Sequence, residues 1–251
     1  MTARITIAQL YPELLGVTGD RGNVDVLRIR AQRAGLDVDV VLVEPGDELP
    51  AADVIVIGNG PLSALRSVAA DARRHTDALS AHIAAGGALL AIGGGAELLG
   101  HEISGAEGSL AGLGVLPLRV ERRNERRVGY VVAEAAGIRL AGFEDHSSVW
   151  LPDPGVQAFA RVIHGKGTIE PSSGGPRGEG VRVSNAYALR VQGPLLPLNP
   201  ALADQILATV ADARGTTYEP SEAHAQLDAF AQEARAAIES RATQTYNSIG
   251  I

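Results

Sequence analysis

Leu89-Leu90-Ala91-Ile92-Gly93-Gly94-Gly95-Ala96-Glu97-Leu98-Leu99-Gly100 is a short apolar run, three glycines, and then apolar residues at helical spacing. The pattern predicts a strand, a sharp turn and a helix. In an α/β protein such a turn falls at the carboxyl end of a parallel strand, where ligands bind. A nucleophile elbow has this geometry. One side chain is held on a strained turn while N–H groups of the following helix point at the reacting atom. The apex here is Gly93, which carries no side chain. The stretch predicts the backbone of a catalytic elbow without its nucleophile.

The residues before the elbow supply the rest of an α/β core. Asp53 to Ile57 reads as a strand running into Gly58-Asn59-Gly60-Pro61, and a helix is expected from Leu62 to Ala85, ended by Gly86-Gly87. A glycine turn beside an elbow lets the backbone approach a substrate closely, so Gly60 and Gly94 are the expected backbone donors to an oxyanion. Earlier, Ile5 to Leu10 alternates as a first strand. The glycine-rich loop from Tyr11 to Asn23 follows, and then Val24, Leu27, Ala31 and Ala34 recur at helical spacing until Gly35. That loop lacks a Gly-Lys-Ser/Thr ending and a Gly-x-Gly-x-x-Gly pattern, which argues against a nucleotide site. With Val38 to Val43 as a further strand, the first hundred residues predict a mostly parallel sheet with helices on both faces.

After Gly100 the pattern changes to short strands: Val115 to Val120, Arg127 to Ala133, Ile138 to Phe143, Ser148 to Leu151 and Ala158 to Ile163. They predict an antiparallel extension of the sheet. Pro171 to Gly180 reads as a flexible loop, Val181 to Ser184 and Ala186 to Val191 as strands, and Ala201 to Ala213 as a helix after the loop Gln192 to Pro200. Residues 1–214 thus form one domain, and 215–251 a linker followed by an amphipathic helix. Ser221 is its expected cap, with Leu227, Phe230, Ala231, Ala234 and Ile238 on one face; the helix is expected to fold back on the domain, with a frayed end after Ala242.

Composition narrows the function. The 251 residues are 45% hydrophobic and carry a formal charge of −7, which argues against a nucleic-acid partner. The cluster Arg122-Arg123-Asn124-Glu125-Arg126-Arg127 reads as a solvated edge strand. There is no cysteine, which removes disulfides, thiolate metal sites and every cysteine nucleophile together. No histidine and carboxylate set has metal-ligand spacing. No apolar run approaches the roughly 18 to 20 residues of a membrane span. The chain enters a strand pattern at once, so a cytoplasmic protein is expected.

Five stretches in order carry a resemblance: Leu10-Tyr11-Pro12, Gly19-Asp20-Arg21-Gly22-Asn23, the elbow, Gly142-Phe143-Glu144-Asp145-His146, and Gly193-Pro194-Leu195-Leu196-Pro197-Leu198-Asn199-Pro200. Over about residues 5 to 213 the chain resembles the GatD family, glutaminase subunits of lipid II isoglutaminyl synthase within the cobyric-acid-synthase-like class I glutamine amidotransferases. The resemblance implies an α/β, flavodoxin-like amidotransferase fold and a heterodimer with a Mur-ligase-like partner, MurT. That partner uses ATP and magnesium to amidate the α-carboxyl of D-glutamate in the peptidoglycan stem peptide, and no cofactor is expected on this chain.

The family's catalytic pair falls on two substituted positions. Ala-Ile-Cys-Gly-Gly corresponds to Ala91-Ile92-Gly93-Gly94-Gly95, and His-Gly-Pro-Leu-Leu-Pro to Gln192-Gly193-Pro194-Leu195-Leu196-Pro197. Glycine cannot attack a carbonyl, and an amide cannot accept a proton near neutral pH. The Tyr-Gln that follows the family's elbow is replaced by Ala96-Glu97, which places an extra carboxylate there. Arg126 matches an arginine that contributes to glutamine binding, and a guanidinium suits an α-carboxylate. His146 is expected to be a structural, hydrogen-bonded histidine. The resulting expectation is a non-catalytic subunit that docks and supports the ligase, which would take free ammonia or an amino acid as its amine donor. The alternatives are a glutamine-hydrolysing subunit and a stand-alone binder of glutamine or another small carboxylate.

Overall fold

A computed structural model describes residues 4–171, 175–242 and 246–250. In chain order the elements are β1 (Arg4–Leu10), α1 (Arg21–Arg33), β2 (Asp37–Val43), β3 (Val54–Ile57), α2 (Leu62–Ala72), α3 (Thr76–Ala84), β4 (Ala88–Ile92) and α4 (Gly94–Leu99). They continue with β5 (Glu102–Ser104), β6 (Leu110–Ala111), β7 (Leu118–Ala135), β8 (Ile138–Pro152), β9 (Ala158–His164), β10 (Gly178–Val183) and β11 (Ala186–Leu189). The one-turn α5 (Leu195–Leu198), α6 (Pro200–Ala213), α7 (Glu222–Ala242) and β12 (Tyr246–Gly250) complete the chain.

One sheet runs β2-β1-β3-β4-β11-β10-β9-β7-β5-β6, with β8 and β12 also paired to β7. The strands from β2 through β11 are mutually parallel, whereas β10, β9, β7 and β8 pair antiparallel. The expected mostly parallel core with an antiparallel extension is the fold observed. Alternate residues divide the core. Ile5, Ile7, Val54, Val56, Leu90 and Ile92 pack with α1 and α6 on one face; Ala8, Leu10, Ile55, Ile57, Leu89 and Ala91 pack with α2, α3 and α4 on the other. A strand covered on both faces reads as an unbroken apolar run, which is why Ala88–Ile92 is buried at every position.

Four sequence expectations are revised. The helix over 62–85 is two helices, separated by a tighter turn at Arg73–His75 that buries His75 beside Asp71. The short strands between 115 and 151 merge into the long hairpin β7–β8, closed by Ala136 and Gly137, both at positive φ as a two-residue hairpin turn requires. The loop over 171–180 ends as β10, while 172–174 lie outside the described residues. Residues 246–250 form a strand along Glu125–Gly129 of β7 where a frayed end was expected; 243–245 lie outside the described residues.

The tail helix does fold back, through a charged hub more than through its apolar face. Arg30, 1% exposed, donates from Nε and Nη2 to Asp204 of α6 at 2.7 and 2.8 Å and from Nη1 to Asp228 of α7 at 2.6 Å. Tyr218 donates its hydroxyl to Asp204, and His224 Nε2 lies 2.9 Å from the Arg30 carbonyl. Ala231 is buried, but Phe230 is 60% exposed, so the expected face is rotated away from that ring.

Candidate functional site

The carboxyl ends of β1, β3, β4 and β11 meet at one edge of the parallel sheet. Ile57 of β3 lies opposite Ala91, and Leu189 of β11 opposite Ile92, so the chain leaves all these strands at one level. The Gly93 N–H donates to the Leu189 carbonyl at 2.8 Å, and the Gly95 N–H to the Gly58 carbonyl at 3.1 Å. Gly93 stands at φ +54°, ψ −120°, a backbone state that disfavours any residue with a Cβ. The elbow expected from three glycines is present.

Its apex is occupied by a neighbour. Asn59, between the glycines of the β3 turn, places Oδ1 2.8 Å from the Gly94 N–H and accepts its hydrogen bond. Gly94 is the residue whose N–H was expected to face an oxyanion. Gly60 adjoins it closely: a Cβ on Gly94 would stand 3.2 Å from the Gly60 nitrogen.

Asp20 supports this turn. Its Oδ2 accepts from the Asn59 N–H at 3.0 Å and from the Thr18 hydroxyl at 2.9 Å. Burial pushes the Asp20 carboxyl above its ordinary range, against the pull of these donors. Three residues on, Asn23 Oδ1 accepts from the Leu196 N–H at 2.8 Å. Asn199 Oδ1 takes the Ala141 N–H at 2.8 Å, and its Nδ2 donates to the Ala141 and Leu195 carbonyls. The Gly19–Asn23 and Gly193–Pro200 motifs are therefore clamps that hold the loops around the elbow.

Glu97 is wholly buried in α4. Its Oε1 accepts from Arg190 Nη1 and its Oε2 from Arg122 Nη2, both at 2.6 Å. Burial alone would raise its carboxyl; the charges of Arg190 and Arg122 overcome that and hold it at about 2. Arg122 thus belongs to an inward ion-pair network, and buried Arg127 binds Glu170 at 2.9 Å. These two contacts revise the solvated-strand reading of the arginine cluster.

Gln192 is buried, and its backbone exchanges hydrogen bonds with Phe143 at 2.9 and 3.0 Å; its Nε2 has no partner among the described residues. Arg126 is half-exposed and binds Asp145 of this chain through both Nε and Nη2, at 2.6 and 2.8 Å. A ligand carboxylate would have to displace that of Asp145. His146 is buried, with Nδ1 3.0 Å from the Ser148 carbonyl and Nε2 3.6 Å from Glu144. Burial, with the Arg190 charge, lowers its proton affinity. Its Nε2 is buried without a hydrogen-bond partner among the described residues.

A cavity of about 160 Å³ opens beside the network, lined by Leu62, Ser104, Arg122, Arg123, Asn124 and Ser147 among others. Buried Glu179 accepts from the Arg190 and Val191 N–H groups at 2.6 and 3.1 Å and from the Thr168 hydroxyl at 3.2 Å. Burial, aided by the Glu144 charge, raises its carboxyl to about 7 against these donors. Between its ordinary value of 4.5 and about 7 the folded protein holds a proton that the unfolded chain releases. Stability from this group is therefore full below pH 4.5 and declines as pH rises to 7, by on the order of 3 kcal/mol. Glu179→Gln is expected to flatten that part of the profile in urea denaturation at several pH values; an unchanged slope would disprove the assignment.

The turn carries no side chain at Gly93, position 192 is an amide, and the Gly94 N–H, the expected oxyanion donor, is already hydrogen-bonded to Asn59. In the sequence Asn59 reads only as part of a turn, and neither Arg190 nor Glu179 is marked for a role. A polar residue flanked by glycines opposite the elbow was the available signal for Asn59. Glu179 sits among glycines and reads as loop, and nothing in the spacing marks Arg190. Among the described residues no group of three or more histidine or acidic side chains is placed to hold a metal ion, and no helix is long and apolar enough to cross a membrane.

Residues 6–189 match the CobB/CobQ-like glutamine amidotransferase domain. Over 212 residues the chain is 29% identical to the lipid II isoglutaminyl synthase (glutamine-hydrolyzing) subunit GatD of Streptococcus pneumoniae, covering 82% of this chain and 80% of that protein. Against the subunit of the same name from Staphylococcus aureus it is 28% identical over 222 residues, covering 87% and 89%. A cobyric acid synthase from Brucella anthropi is 37% identical over 150 residues, 55% of this chain and 31% of that protein. The fold is shared with a crystal structure of a glutamine amidotransferase at a TM-score of 0.51 and 20% identity, covering 81% of this chain and 98% of the other. A glutamine amidotransferase from Thermotoga maritima aligns at a TM-score of 0.50 and 12% identity, covering 94% of each chain.

Proposed function

This chain belongs to the family of CobB/CobQ-like glutamine amidotransferase domains, and on that premise we propose that it is the non-hydrolysing subunit of a MurT-type ligase complex. The complex would modify the D-glutamate α-carboxyl of the lipid II stem peptide on the cytoplasmic side. This chain docks on the ligase and supports it, and the ligase binds ATP and magnesium. Its relatives named for lipid II isoglutaminyl synthase support the assignment to such a complex. The observation that carries the non-hydrolysing part is the elbow: no side chain at Gly93, and Asn59 Oδ1 2.8 Å from the Gly94 N–H. A glutaminase needs a thiolate or hydroxyl at that apex, a proton acceptor beside it, and free N–H groups for the oxyanion.

The amine that enters the product must then come from free ammonia or from the amino group of an amino acid such as glycine. The test is to co-express the chain with a MurT-type ligase and supply ATP and lipid II. Glutamine, ammonium or single amino acids are then offered in turn. Product is expected with ammonium or an amino acid, and no ammonia release from glutamine. Ammonia released from glutamine by the unaltered complex would overturn the reading.

A second reading rests on the cavity lined by Arg122, Arg123 and Asn124, a setting for a small carboxylate. Calorimetry with glutamine, glutamate and glycine on the isolated chain separates the two. Binding without any association with the ligase would favour a stand-alone binding protein.

A further inference from the structure

We propose that Asn59 is a built-in plug of the elbow: its carboxamide fills the seat of the missing nucleophile and holds the Gly94 N–H, so that a nucleophile restored at position 93 would meet an occupied seat. The proposal deepens the non-hydrolysing reading above and rests on it for its biological meaning. The contacts it is argued from lie wholly within this chain.

Three observations converge on this residue. The Asn59 oxygen takes the Gly94 N–H at 2.8 Å, the donor distance an oxyanion would need. A Cβ built on Gly93 would stand 2.6 Å from Asn59 Cγ, and nearer still to Oδ1. Carbon atoms pack at about 3.5 to 4.0 Å, so a side chain at 93 and the present carboxamide cannot share the space. The third observation is rigidity. The Asn59 N–H is held by Asp20 Oδ2 at 3.0 Å, its carbonyl accepts from the Val17 N–H at 3.2 Å, and the residue is 8% exposed. Asp20 is itself fixed by Thr18. The carboxamide is therefore anchored by its own backbone on both sides.

The consequence is specific. Restoring a thiol at the apex with Gly93→Cys would not by itself rebuild an elbow. Even with Gln192→His added, the sulfur would meet the carboxamide, and the oxygen of a tetrahedral intermediate would find the Gly94 N–H engaged. Asn59 must be removed as well.

The protein has no cysteine, so Gly93→Cys introduces a single thiol whose behaviour can be read without background. In the full chain, Gly93→Cys, Asn59→Gly and the double variant are compared by thermal unfolding and by the rate of alkylation with iodoacetamide. The double variant is expected to melt above Gly93→Cys alone and to alkylate at least tenfold faster. Asn59→Ala in the otherwise unaltered protein provides a measurement that needs no thiol. Hydrogen exchange of the Gly94 amide is expected to accelerate at least tenfold there, with the β4 amides unchanged. If Gly93→Cys fails to fold, folding of the double variant is the rescue. The plug is overturned if the two substitutions add simply, if the thiol reacts equally fast beside Asn59, or if Gly94 exchanges as before. Ammonia release by the unaltered complex tests the parent reading separately, because these stability and exchange measurements use no glutamine.

Discussion

Glu97→Gln is expected to destabilise the protein by about 3 to 5 kcal/mol at neutral pH, the range for breaking a buried ion pair by removing one partner. The carboxylate is wholly buried and is shared between Arg190 and Arg122 at 2.6 Å each. With a neutral amide in its place the Arg190 guanidinium remains in the interior with no opposing charge from α4, and an amide nitrogen would face one of the two arginines. Glu97 is held at about 2, below its ordinary 4.5, so the unfolded chain takes up its proton first. Its stabilisation is complete above pH 4.5 and is lost as pH falls toward 2. Urea denaturation at pH 7 and at pH 3 should therefore show a smaller difference between variant and parent at the lower pH. Glu97→Leu combined with Arg190→Met should recover much of the loss, because replacing a buried pair by apolar residues of similar volume is often neutral. Equal stability of the single variant and the parent at pH 7 would remove the network from the account of the fold.

Arg30→Met is expected to cost about 3 kcal/mol and to release α7, since breaking a buried pair from one side leaves the other charges uncompensated. Arg30 joins Asp204 on α6 and Asp228 on α7, and its carbonyl faces the His224 ring. The figure sits at the low end because both carboxylates reach solvent, Asp228 more than Asp204. The effect should be local: faster amide exchange and proteolysis through 222–242, with the parallel strands still protected. Loss of protection spread evenly over the sheet would mean that the hub supports the whole domain.

The parallel half of the fold was legible because its signals are local. Runs such as Val54–Ile57 and Ala88–Ile92 are apolar throughout, as strands covered on both faces must be. Glycines at 58, 60 and 93–95 mark where backbone turns tightly after such a strand. The boundaries that sequence reasoning missed have distant causes. Nothing local distinguishes one helix over 62–85 from two, because the break follows the burial of His75 beside Asp71, which also receives the hydroxyl of Tyr11. Polar residues interrupt the long β7–β8 hairpin, so its sequence reads as short strands; partly buried Arg122 and buried Arg127 are tolerated there because Glu97 and Glu170 meet them.

By itself the sequence determined the α/β architecture and the tight glycine turn after Ile92, which follow from residue identity and short-range periodicity; that a nucleophile and a base would stand at 93 and 192 is what the family resemblance implies. Tertiary structure alone decided where the remaining polar groups go. It placed Asn59 over the apex, paired Glu97 with two arginines 25 and 93 residues away in the chain, and took Arg126 for the chain's own Asp145. A hydrogen bond or ion pair forms between atoms a few ångströms apart, and sequence separation carries no information about that distance until the sheet has assembled.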